Sequence, residues 1–144
     1  MIKLKYSPEF APVYQTAGSA GADLIAAASI CIKAGQKAKV PTGVSIDSVD
    51  WDQVPQGCIP ELQIRARSGL AYKHGICLSN GVGTIDADYP EEICVLLWNS
   101  SDTDFHINKG DRIAQMVLNL CHKIPFLEQK GLRTSGFGST GIRV

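Results

Sequence analysis

The chain is 144 residues long, with fourteen Lys plus Arg against fourteen Asp plus Glu and a formal net charge of zero. That length fits one domain with a real core but not two domains flanking a cleft, so a site must lie on the surface or between subunits. Charge balance removes the long-range positive field that would gather nucleic acid, and no apolar run approaches a signal core or a membrane span. The expectation is a soluble protein of the cytoplasm, or of the nucleus if eukaryotic or viral, with no membrane or nucleic-acid partner.

The five cysteines (Cys31, Cys58, Cys77, Cys94, Cys121) lack C-x-x-C or metal-ligand spacing and stand mostly among apolar residues. They read as buried, reduced thiols packed as small hydrophobes, and their odd number argues against a disulfide framework. The three histidines, His74, His106 and His122, have no metal spacing either and read as surface or satisfied core residues.

Fourteen Gly and seven Pro punctuate short apolar stretches, and no helical periodicity persists for three turns. In chain order the strand candidates are residues 2–5, 24–32, 37–46, 59–65, 92–99 and 113–120, most of them bounded by Gly, Pro, Asn or Asp. The clearest is 92–99, where Ile93, Val95 and Leu97 share one face and Cys94, Leu96 and Trp98 the other, so that both faces are expected to be buried. Residues 47–53 form an acidic surface loop or hairpin insert carrying Trp51, and no chemistry is assigned to them. A single short helix is predicted from Ser68, as N-cap, to about His74, with Gly75 as its stop. The pattern is all-β, a jelly roll or sandwich of short strands with one short helix. Its domain covers residues 1–130, and a Gly/Ser-rich arm covers 131–144, too poor in apolar residues to pack a core and mobile until something binds it.

Three segments carry the parts of a phosphate or nucleotide site. In the arm, Arg133, Ser139 and Thr140 offer donors, glycines let backbone N–H groups approach an anion, and Phe137 offers a stacking face; the same composition also fits a plain disordered end. Arg65-Ala66-Arg67-Ser68-Gly69 places two arginines before a helix start, which suits an anion but also fits an ordinary capped helix. Residues 80–89 begin glycine-rich and end with Asp86, Asp88 and Tyr89; this is either a turn with Asp caps or a place where a carboxylate orients and deprotonates a water.

Taken together these segments resemble the ordered motifs of the trimeric dUTPase family: Ala20–Leu24, Arg67–Ala71, Asn80–Tyr89 with Glu92, Gly110–Gln115, and Gly136–Gly141. The resemblance implies a β jelly roll and a homotrimer whose shared sites lie at subunit interfaces, the third chain's arm (131–144) closing over each. The substrate it implies is dUTP, hydrolysed to dUMP and pyrophosphate, which limits uracil in DNA and supplies dUMP for dTMP synthesis.

By that resemblance Asp86 activates the attacking water, Tyr89 packs under the deoxyribose and excludes a 2′-hydroxyl, and Asn80 with the turn groups of Gly83, Thr84 and Ile85 reads the uracil edge. Ser68 and Gln115 match phosphate ligands, with Gly69 beside them; Arg67 points either at phosphate or at a neighbouring subunit, and Arg112 is expected in a structural ion pair. In the arm, Phe137 stacks on uracil while Arg133, Ser139 and Thr140 hold the γ-phosphate and Gly138 supplies backbone freedom. The substrate carries about four negative charges, so Mg²⁺ held by the phosphates is expected, with Asp23 reaching it through a water.

The chain also departs from the family pattern. Ala66 stands where proline is usual, Pro90-Glu91 where Arg-Gly is usual, and the last motif is one residue shorter between Arg133 and Phe137. Three other readings compete with the dUTPase one. A dCTP deaminase would share the superfamily fold, a nucleotide-binding module would have lost catalysis, and a structural β-sandwich would bind no nucleotide.

Overall fold

The computed structural model describes residues 1–125 together with Leu127, Gly131 and Gly136. Ten strands and one short helix follow one another: β1 (Ile2–Tyr6), β2 (Ala22–Ile25), β3 (Ile30–Ile32), β4 (Lys37–Val49), β5 (Cys58–Ala66), α1 (Ser68–His74), β6 (Ile76–Leu78), β7 (Gly83–Ile85), β8 (Glu92–Asn99), β9 (Phe105–Ile107) and β10 (Arg112–His122). Single 3₁₀ turns occupy Pro8–Phe10 and Trp51–Gln53.

Two antiparallel four-stranded sheets, in the orders β1-β4-β8-β6 and β2-β10-β5-β7, close on one another, and β3 pairs with β9 as a separate ribbon. Alternation along the strands supplies the core between them: Val40 and Val44 from β4, Leu62 and Ile64 from β5, Ile93, Val95 and Leu97 from β8, and Ile113 and Met116 from β10 are all buried. This is the expected jelly-roll arrangement.

The helix spans the predicted residues, but Arg67 takes the N-cap position and Ser68 the first turn, with no side-chain capping bond. It stops at Gly75, whose φ of +66° only glycine adopts without strain. The candidate over 24–32 divides into β2 and β3, while β4 runs on to Val49 and absorbs the start of the acidic insert. Only one face of β8 is buried: Cys94 and Leu96 are half-covered and Trp98 is exposed, because the second sheet packs on the opposite face. None of the cysteines is buried. All five are free thiols, Cys31 exposed and the others half-buried, placed on outward or edge positions of strands that a linear sequence cannot distinguish from core. All three histidines are exposed.

Candidate active site

The residues expected at the site gather into two groups at opposite flanks of the sheet β2-β10-β5-β7. On the β2 flank, pairing of β10 with β2 sets Gln115 opposite Asp23. Close approach is possible there because Gly21 has no side chain, and a Cβ on it would lie 3.1 Å from Gln115 Cβ. Asp23 is only 3% exposed yet ionic, and it is surrounded by donors. Arg112 Nη1 donates to Oδ2 at 3.2 Å, Gln115 Nε2 to Oδ1 at 3.4 Å, and Arg67 Nε lies 3.5 Å from Oδ1. Arg67 also donates from Nη1 to the Arg112 carbonyl at 3.0 Å, tying the start of α1 to β10. A buried carboxylate is costly unless paired and hydrogen-bonded; here two guanidinium groups and an amide meet that requirement and leave the cluster with one net positive charge. A cavity of about 270 Å³ opens beside it, lined by Arg67, Leu70, Phe105, Asp111 and Arg112 among others. Ser68 and Gly69 stand exposed at the adjoining helix start.

The second group lies where β7 meets β8. A cavity of about 150 Å³ is lined by Asn80, Gly83, Thr84, Ile85 and Tyr89, with Ile64, Leu78, Cys94, Val95 and Leu96 as its remaining walls. Gly81, at φ +74°, turns the chain out of Ser79, and the chain comes back along β7 against β5, Gly83 opposite Ile64. A Cβ on Gly83 would stand 3.1 Å from Ile64 Cβ and 3.4 Å from Asn80 Nδ2, so glycine is what lets the turn close. Beyond Ile85 the main chain turns again, with Tyr89 N–H donating to the Asp86 carbonyl at 3.0 Å, which leaves the Asp86 side chain exposed and the Tyr89 ring 5% exposed. Among the described residues the two cavities share no lining residue.

Sequence reasoning missed the β8 wall of this cleft. The amide of Ser79 donates to the Leu96 carbonyl at 2.9 Å, and β6 ends at Leu78, so Cys94 sits on a stretch of the β8 edge beyond the end of β6. Burial, reinforced by the nearby Glu92 carboxylate, pushes the Cys94 thiol above its ordinary value. No local signal identifies such a residue, because it depends on where another strand stops. Arg133, Phe137, Gly138, Ser139 and Thr140 lie outside the described residues. Gly136 is described and packs its main chain against the Tyr89 ring, where any side chain would collide.

Among the described residues no group of three or more His, Cys, Asp or Glu side chains can hold a metal ion. Both oxygens of Asp23 already carry protein donors, so its chemistry fits contact with a hydrated Mg²⁺ through water and not direct ligation. Among the described residues, too, no helix is long and apolar enough to cross a membrane.

A jelly roll with a cleft of about 150 Å³ on one flank and a cationic cluster on the other suits a nucleotide-handling protein. The chain belongs to the dUTPase family, whose profile matches residues 9–143. It is 46% identical to the deoxyuridine 5′-triphosphate nucleotidohydrolase of Rickettsia felis, covering 98% of this chain and 97% of that protein. Its identity to the enzyme of the same name from Caulobacter vibrioides is 42%, over 91% of this chain and 85% of that one. Its fold is similar to that of a dUTPase from Streptococcus mutans, with a TM-score of 0.68 and 31% identity over 90% of this chain and 98% of that one. A dUTPase of Staphylococcus bacteriophage 80alpha, solved with dUpNHpp, shares the fold at a TM-score of 0.70 and 21% identity, covering 99% of each chain.

Proposed function

We propose that this dUTPase-family chain hydrolyses dUTP to dUMP and pyrophosphate at a site built from the Asn80–Tyr89 cleft and the Asp23 cluster, with Asp86 as the general base. It is a dUTP diphosphatase. The observation that carries the reading is the cleft itself, where Asn80, Gly83, Thr84, Ile85 and Tyr89 come together beside the part of β8 that lies beyond the end of β6.

Such a cleft suits a flat pyrimidine: Asn80 and the main chain around Gly83 and Cys94 supply donors and acceptors, and a closely walled turn discriminates by size as well as by pairing. The Tyr89 ring forms an apolar floor for the deoxyribose, and a 2′-hydroxyl placed against it would be left unpaired at a cost of about 1–3 kcal/mol. Asp86, exposed at the rim, takes a proton from the water whose oxygen bonds to the α-phosphorus, and the bond from that phosphorus to the α–β bridging oxygen breaks, so that pyrophosphate leaves with that oxygen and the electron pair. Ser68, Gly69, Arg67 and Gln115 face the phosphates, and Asp23 fixes the last two. Mg²⁺ is the cofactor we assign; when bound to the triphosphate it neutralises charge that the arginines do not.

The two groups of residues lie apart in one protomer, which supports a homotrimer in which the cleft of one subunit meets the cationic cluster of another. The arm of residues 131–144 would then close the site, with Phe137, Gly138, Ser139, Thr140 and Arg133 on the nucleotide. Cytoplasmic location accords with this chemistry.

The test is pyrophosphate release from dUTP with Mg²⁺, run beside dTTP, dCTP and UTP and repeated with Asp86→Asn. Release confined to dUTP and lowered about 10²–10⁴-fold by the substitution is expected, the usual range for a general base. A folded, Mg²⁺-loaded protein that releases no pyrophosphate from dUTP sinks the proposal, and ammonia from dCTP would favour a deaminase.

A further inference from the structure

Where β4 pairs with β8, Pro41 stands opposite Cys94 and Ser45 opposite Glu92, so Thr42, Gly43 and Val44 together face Ile93 alone. This bulge is tightly fastened. Thr42 is fully buried and donates from Oγ1 to the Ile93 carbonyl at 2.6 Å, and its oxygen accepts the Val44 N–H at 3.3 Å. Gly43 adopts φ +70° and lies directly on Phe10, where an added Cβ would approach Cδ2 to 2.5 Å. Its N–H has been turned outward, and it donates to Glu92 Oε1 at 2.6 Å, a short charge-assisted bond.

Glu92 therefore has a fixed side chain although it is exposed, and it opens β8. On its main-chain side lies Tyr89, whose ring is buried while its hydroxyl lies 3.5 Å from the Glu92 carbonyl and 3.5 Å from Glu91 Oε2. A buried tyrosine hydroxyl settles where it finds an acceptor, and both of these acceptors belong to the residues that open β8. The ring's position is thus coupled to where β8 begins, and the bulge fastens that start through Ile93 and the Glu92 side chain. Bulges re-aim neighbouring residues in this way.

We infer that Glu92 is a positioning residue for Tyr89, locking the floor of the nucleoside cleft by accepting the N–H that the β4 bulge turns toward it. This rests on the reading that Tyr89 faces the substrate's sugar. Glu92 touches no reacting atom in that reading, so its loss changes binding and discrimination more than the chemical step.

The experiment compares Glu92→Ala with Glu92→Gln, which keeps a carbonyl acceptor for the Gly43 N–H. With dUTP, Glu92→Ala should raise KM about tenfold with kcat nearly unchanged, the signature of lost uniform binding, and the dUTP-to-UTP preference should fall by a similar factor. Glu92→Gln should recover most of both. Independently of any catalysis, a fluorotyrosine ¹⁹F resonance assigned through Tyr89→Phe should move in Glu92→Ala and return toward its place in Glu92→Gln. A Glu92→Ala protein that melts lower but keeps KM, preference and resonance overturns the inference, as does a Gln variant no better than Ala. If the wild-type chain proves inert toward dUTP, the proposed function fails, and the resonance alone decides the role of Glu92.

Discussion

The cluster on Asp23 and the cleft at Tyr89 sit at opposite edges of one sheet, yet charge holds the first together and backbone geometry the second. Asp23 gathers Arg67, Arg112 and Gln115 because a carboxylate that is 3% exposed needs donors. Among the described residues the cleft's lining forms no ion pair; its turn exists because Gly81 takes φ +74°, which favours glycine, and Gly83 leaves room that a Cβ would crowd. Each half is therefore vulnerable to a different kind of change. The cluster fails when a partner is removed, the cleft when an atom is added.

Asp23→Ala should show the largest effect. It removes the charged acceptor that three donors share, and hydrogen bonds to a charged group are worth about 1.5–3 kcal/mol each, less where solvent screens the donor. Urea unfolding measures this, and Asp23→Asn, which still accepts hydrogen bonds, should cost clearly less. Equal losses for the two variants would mean that volume and not charge holds this flank.

Gly83→Ala adds one methyl group 3.1 Å from Ile64 Cβ. Overpacking of that kind costs about 1–3 kcal/mol, and the KM for dUTP should rise as Asn80 is displaced. Unchanged stability together with unchanged KM would show that β7 yields freely and that the cleft is not defined by its glycine.

The same contrast explains what could be read from the sequence. The strand β8 and the helix α1 were legible because each carries its own signal, an alternation ending at Asn99 in one case and a stop at Gly75 in the other. The three-residue strands β6, β7 and β9 were not, since so few residues carry no periodicity. Asp23, Arg67, Gln115, Asn80 and Tyr89 were marked by motif resemblance, and Arg112 was expected in an ion pair, which the structure supplies. Its partner was not foreseen, because Asp23 and Arg112 are 89 positions apart and adjoin only through pairing of β2 with β10. Cys94 and Leu96 escaped for the same reason. Their apolar company suggested core, whereas the end of β6 makes them cavity wall.

Arg112→Ala should cost less than either change above. Its side chain is 47% exposed, against 26% for Arg67, so solvent already screens much of its attraction to Asp23. About 0.5–1 kcal/mol is expected, the range of exposed pairs, and Arg67→Ala should exceed it because Arg67 also loses its bond to the Arg112 carbonyl. Reversed order in urea unfolding would assign Asp23's main counter-charge to Arg112.

The pair Lys33–Asp104 gives the smallest effect and a reference for the buried cluster. Lys33 Nζ lies 2.7 Å from Asp104 Oδ2, which is shorter than any contact to Asp23, but both groups are open to water. The bond to Lys33, helped by the Ala34 N–H, holds Asp104 below the usual carboxylate range, and the bond to Asp104 raises Lys33 above 10.5. A lowered acid contributes stability above its unfolded value of 3.8 and loses it as pH falls through the folded one; a raised base contributes below 10.5 and loses it as pH climbs through its folded value. Lys33→Met should therefore lower stability slightly on a plateau between those limits, and by nothing at either extreme. Raising salt to about 1 M, where screening acts within about 3 Å, should shrink even that plateau. The loss from Asp23→Ala should persist in the same salt, since burial and not distance separates the two carboxylates. Equal salt sensitivity in both variants would place Asp23 in water and show that buried charge does not hold this flank.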